Sequence, residues 1–176
     1  MRQKLSFCTL LFCCLLSTAV SAQKKTTPLE YNDKLASITD SLYNLGMEWG
    51  ARFQQIMSSD KNYGQLSEPR QKVAAFTNKK IAEVKREAAV GKGGDNLKAA
   101  VLNFLAFEKS MIETAFMPIE KLDNNSTQEE IDAAIKKLTD QADLEADALK
   151  KVNAAQEAYG KLHGFELEPA EEEDKD

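Results

Sequence analysis

Between Tyr31 and Ile56 the residues Tyr31, Leu35, Ile38, Leu42, Leu45, Trp49, Phe53 and Ile56 recur at intervals of four, three, four, three, four, four and three. Such a pattern buries its side chains only as one face of a helix of about 30 residues, ~45 Å long at ~1.5 Å per residue. Thr27-Pro28-Leu29-Glu30 supplies the start, with Thr27 as cap, Pro28 in the first turn and Glu30 where an acid suits the helix dipole. Gly46 and Gly50 lie beside the stripe. Both weaken a helix, so close approach of a neighbouring helix is expected there.

Three further segments repeat the pattern. After a loop over Ser58–Gly64, Ser67-Glu68-Pro69 opens a second helix with the stripe Val73, Thr77, Ile81, Val84 and Ala88, ending at Gly91. Gly91-Lys92-Gly93-Gly94 reads as a flexible link, and Asp95 as the cap of the third helix. That helix presents Leu97, Val101, Phe104, Leu105, Met111, Ile112, Ala115, Phe116, Ile119 and Leu122, with a kink expected at Pro118. Asp123-Asn124-Asn125 is a turn, and Ser126-Thr127-Gln128-Glu129 reads as a capping box. The fourth stripe is Ile131, Ile135, Leu138, Ala142, Leu149, Val152 and Tyr159. With no alternating strand pattern, the expected fold is all-α: an antiparallel up-down-up-down four-helix bundle over residues 28–166.

The two ends of the chain read differently. Arg2 and Lys4, an apolar run through Leu15-Leu16 and the small residues Val20-Ser21-Ala22 make residues 1–22 a secretory signal peptide, with 23–27 a short linker. The run is too short for a spanning helix, so no transmembrane segment is expected after cleavage. All three cysteines, Cys8, Cys13 and Cys14, fall within it, and none is preceded by the small residues that lipid attachment requires. The mature chain would then hold no thiol, which excludes disulfide scaffolds, thiol enzymes and cysteine-ligated metals. At the other end, residues 166–176 carry seven acids against Lys175 alone, and 167–176 read as a disordered acidic tail. The body between is nearly neutral, which argues against nucleic acid.

Bundles often hold metals or haem, and both fail here. A di-iron site needs Glu-x-x-His on two helices; the only histidine, His163, has Gly160 three residues before it. His163 also lacks a Met at its level, and reads as a helix-end residue suited to the local dipole. No metal and no cofactor is expected. Ser58-Ser59-Asp60-Lys61 contains Ser-x-x-Lys without its companion elements, and the glycine link follows a helix rather than a strand. Asp140, Asp143 and Asp147 share one helical face and read as solvated. Residues 68–92 hold seven Lys/Arg against three Glu, a basic helix expected to balance the acidic fourth.

The start Glu30-Tyr31-Asn32-Asp33, the segment Met117-Pro118-Ile119-Glu120-Lys121-Leu122 and the end from Ala155-Gln156-Glu157-Ala158-Tyr159-Gly160 to His163-Gly164-Phe165-Glu166-Leu167 carry a resemblance. They are similar to an uncharacterised family of exported bacterial surface proteins named after a leptospiral surface lipoprotein. The resemblance covers nearly all of the mature chain. It implies an exported helical protein without known site residues, and this chain departs from the namesake in lacking a lipid-attachment cysteine.

The expected function is that of a secreted or periplasmic, surface-associated binding or structural protein, not an enzyme, its partner an envelope protein or a small ligand. The alternative is a carrier for a small apolar ligand, with Trp49, Phe53, Phe104 and Tyr159 lining a pocket between helices. One feature breaks the core pattern. Stepping ~100° per residue puts Glu108 at the centre of the third stripe, and Glu145 falls likewise between Ala142 and Leu149. Counting from the turns brings both to one height, beside Thr77, Lys80 and Gly46. The expectation is a buried polar layer in which Lys80 bridges the two carboxylates in space left by Gly46, because unpaired buried acids would repel. Residues 169–176 add acid but no large apolar side chain. Truncation before Pro169 should leave the thermal unfolding midpoint almost unchanged, and a large drop in a calorimetric scan would show that the tail docks.

Overall fold

A computed structural model describes residues 25–59 and 61–167. The expected signal peptide and nearly all of the acidic tail lie outside those residues. Among the described residues the fold is all-helical, with four long helices and no strand. Helix α1 is Pro28–Met57 and α2 is Ser67–Arg86, joined through a short 3₁₀ turn, Tyr63–Leu66. The third helix is composite: α3, Gly94–Met111, runs through a wide π turn, Ile112–Phe116, into the single turn α4, Met117–Glu120. Helix α5 is Gln128–His163. Helix α1 packs on α2 and α5, and α3 packs on the same two. No helix of the described residues is long and apolar enough to cross a membrane.

The expected stripes of the first and third helices form most of the core, and the fourth contributes Val152 and Tyr159. Tyr31, Leu35, Ile38, Leu42, Trp49, Phe53 and Ile56 of α1 are buried against Leu97, Val101, Phe104, Leu105, Met111, Ile112, Ala115, Phe116 and Ile119 of the third helix. The Thr27 cap is present as a full capping box: its Oγ1 accepts from the Glu30 backbone N–H at 3.2 Å, while the Glu30 side chain accepts from the Thr27 N–H at 2.9 Å. The box at α5 stands one residue later than expected, on Thr127 and Glu130.

Other expectations are corrected. Helix α2 stops at Arg86, not Gly91: Glu87 is extended (φ −72°, ψ 134°) and its carboxylate pairs with Lys34 at 2.7 Å. The Lys98 ammonium then takes up the freed carbonyls of Lys85 and Glu87, acting as the cation that a helix carboxyl end favours. Ala88 therefore lies outside the helix and is exposed. The glycine link is packed rather than free. Gly91 and Gly93 have positive φ (68° and 83°), and a Cβ on either would come within 2.6 Å of the His163 ring or 2.9 Å of Leu162. Gly93, not Asp95, precedes the third helix.

Tyr63, expected in a loop, is buried in the 3₁₀ turn with its ring 6.3 Å from that of Phe53. Ala142 of the fourth stripe faces solvent. Gly46 and Gly50 admit no close helix, since a Cβ on either would meet nothing within 4 Å; the packing supplies no reason for them.

Leu105 is fully buried, whereas Leu144 is 52% exposed. Leu105→Ala should lower the free energy of unfolding by about 2–5 kcal/mol through lost burial and the cavity left behind. Leu144→Ala should change it by about 0.5 kcal/mol or less. Urea denaturation of the two variants measures the contrast.

Candidate functional site: a buried carboxyl pair and an open polar groove

Helix α3 carries Glu108 inward because it shares the face of Val101, Phe104, Leu105, Met111 and Ile112; the side chain is 3% exposed. Helix α5 brings Glu145, half-buried, close enough for the two carboxyl groups to act on each other. A carboxylate donates nothing, so a hydrogen bond between them requires that one member hold a proton. Burial, then the charge of Glu145, pushes the Glu108 carboxyl up to about 8, and its hydrogen bond to Glu145 adds to the rise. Burial also raises Glu145, while the hydrogen bond from Glu108 pulls the other way. Glu108 is the more deeply buried member, so burial disfavours its ionised form the more. Its buried Oε1 receives no hydrogen bond.

The pair expected from the two breaks in the stripes is thus brought together, but the bridging cation is not. The Lys80 ammonium pairs with Glu83 on its own helix at 2.9 Å and lies 5.5 Å from the centre of the Phe76 ring. It remains 26% exposed at the rim. Reaching the pair would strip its water for a site where no third group completes its hydration, a cost of several kcal/mol. At the expected height Thr77 is buried, its hydroxyl donating to the Val73 carbonyl at 2.8 Å.

The four aromatic candidates do not line one pocket. Trp49 stacks on Phe53 (ring centres 5.4 Å apart) and on Phe116 of the π turn (4.0 Å, planes 6° apart). Phe104 is buried on α3. Tyr159 stands at the other end of α1, edge-on to Tyr31 at 6.1 Å, and donates its hydroxyl to the Val90 carbonyl at 2.7 Å. The His163 ring lies tilted beside that of Tyr159, and its Nε2 lies 2.9 Å from the Lys92 carbonyl, so it ties the packed glycine link to the end of α5. The Tyr31 hydroxyl and Trp49 Nε1 are buried without partners. Burial, followed by the charge of Glu87, pushes the Tyr31 phenol up to about 12.

The open space is elsewhere. A groove of about 800 Å³ runs between the carboxyl-terminal half of α1 and the start of α2. Arg52 crosses its floor, its guanidinium donating to the Gln55 and Gln65 side-chain carbonyls. Lys72 reaches Glu48 at 2.7 Å and Glu68 at 3.6 Å across the wall. No single residue of this groove stands out in the sequence; it arises where two helices of ordinary polar faces diverge at the 3₁₀ turn. Among the described residues no cluster of three or more His, Cys, Asp or Glu side chains could hold a metal ion. Asp140 and Asp147 pair with Lys136 and Lys150 on their own helix. Comparison with protein-family models, curated proteins and solved structures gives no match for this chain.

The raised Glu108 titration carries a definite sign. Between its ordinary value of 4.5 and about 8 the folded state holds a proton that the unfolded chain has lost. The contribution of Glu108 to stability is therefore full below about pH 4.5 and falls as pH rises to about 8, by at most about 1.4 kcal/mol per pH unit. Glu108→Gln should flatten that slope and be the more stable protein at pH 9. Combining it with Glu145→Gln in a double-mutant cycle by urea melts should show non-additive effects. Simple additivity with no pH slope would mean that the two carboxyls do not interact.

Proposed function

We propose that the chain is an exported, non-enzymatic binding protein of a bacterial envelope, periplasmic or at the cell surface, whose four long helices run antiparallel, up-down-up-down. Pairings between opposite helix ends support the topology: Tyr31 with Tyr159, Lys34 with Glu87 and Arg70 with Glu120. The signal-like amino terminus and the resemblance to the exported surface family support the location. One observation carries the binding reading: the Arg52–Lys72 groove is open, of ligand size and lined with charges and amides, whereas the aromatic interior is filled by its own rings. Such a groove suits a hydrogen-bonding segment of an envelope protein. The apolar-ligand carrier has less support, because Trp49 and Phe53 are stacked among rings and Tyr159 lies at the far end of α1.

A photo-crosslinking residue placed at Gln71, in the groove, should yield a discrete adduct in intact envelopes, while one at Lys137 on α5 should not. Equal adducts from both positions, or none from either, would remove the groove as the binding face. An apolar molecule retained at one per chain in native mass spectrometry would establish the carrier instead.

A further inference from the structure

Helix α5 is held unevenly along its length. Its fully buried residues are Val152, Gln156, Tyr159 and Gly160, all in the carboxyl-terminal third. There the Tyr159 hydroxyl grips the Val90 carbonyl, and Phe165 folds back so that its N–H reaches the Gly160 carbonyl at 3.2 Å. Residues 128–151 contain no fully buried side chain; Ile131, Ala134, Ile135, Leu138, Ala148 and Leu149 are only half-covered. Among the described residues the salt bridges of this stretch, Lys136–Asp140 and Lys150–Asp147, stay within the helix. Among the described residues its charged contact with another helix is Glu145 beside Glu108, near the boundary between the half-covered and buried parts.

We propose that the Glu108–Glu145 pair is a proton-dependent latch on this arm. With one proton shared between the carboxyls, residues 128–151 lie on α3. With that proton lost to solvent, two carboxylates face each other in an apolar seam and the arm detaches, while the carboxyl-terminal third of α5 stays in place.

The surroundings offer the ionised pair no relief. From α5 the only charge that acts on Glu108 is that of Glu145. On α2 the Thr77 hydroxyl is engaged with Val73, and Lys80 is engaged with Glu83. Lys109 of α3 turns toward α2, where it lines a small cleft with Arg70 and Asn78. The buried stripe of α1 beyond Tyr31 contains no titratable group. Like charges without a counter-ion in such a seam repel strongly, and separation of the less buried partner is the available escape. The half-covered arm is the part that local opening releases at least cost. The raised titration of Glu108 sets the range in which the latch works, below and around pH 8.

Hydrogen–deuterium exchange of the whole chain, followed by mass spectrometry at pH 5.5 and pH 9 and corrected for intrinsic exchange, tests this directly. Amides of residues 128–148 should exchange about tenfold faster or more at pH 9, while those of 152–163 keep their protection. In Glu108→Gln the arm should exchange alike at both pH values, since an amide cannot ionise. Glu145→Gln, at the half-exposed partner, gives the same test if the buried substitution prevents folding. Equal corrected protection of the wild-type arm at both pH values, or the same loss in wild type and both variants, would overturn the latch. So would a loss of protection spread evenly over the whole of α5.

Discussion

Everything else in this structure answers to the wide apolar surface of the third helix. Leu97, Val101, Phe104, Leu105, Met111, Ile112, Ala115, Phe116 and Ile119 need cover over more than one flank, and no single neighbour provides it. Helices α1, α2 and α5 are disposed around it accordingly. The π turn serves the same end. Pro118 has no N–H to give the carbonyl of Thr114, and the backbone there widens so that the Met117 N–H reaches back to Ile112. The result is a continuous helix that turns Ala115, Phe116 and Ile119 inward on both sides of the proline, and sets Phe116 flat against Trp49.

Against that surface Glu108 is an anomaly, and the way it is accommodated explains much of the rest. A buried carboxyl can find a cation, find donors or keep its proton. The cation of the right length, Lys80, stays at the rim with Glu83, because a half-hydrated ammonium beside a carboxylate is better solvated than one carried into the core. The donors are absent too, as Oε1 receives no hydrogen bond. Proton retention is what remains, and burial favours it for both acids. The pair sits where α5 passes from buried to half-covered residues.

The groove and the packed end show how two ordinary polar surfaces acquire character from their placement. Arg52, Gln65 and Lys72 are common solvent residues on separate elements, and the 3₁₀ turn that buries Tyr63 and Leu66 brings them into one concavity. At the opposite end Gly91, Gly93 and Gly160 permit contacts that a Cβ would block, against His163, Leu162 and Phe165. Rigidity at that end and looseness along residues 128–151 follow from the same helix.

Amphipathic period determined the four long helices, the faces that turn inward and the two acids that interrupt those faces, and the Thr27-Pro28-Leu29-Glu30 start determined the cap. These are properties of single helices, written in spacings of three and four. The same reading missed the end of α2 by several residues, where Glu87 meets Lys34 and Lys98 on other helices. It placed Lys80 on the acid pair because turn counting fixes height but not the rotation of one helix about another, nor the hydration a cation keeps. It expected glycines 46 and 50 to admit a neighbour, although helix separation is set by the bulk of all the side chains in a seam. Which acid is the more deeply buried, where the polar groove opens and which part of α5 is buried were decided only by the tertiary structure, since each depends on neighbours that only packing brings together.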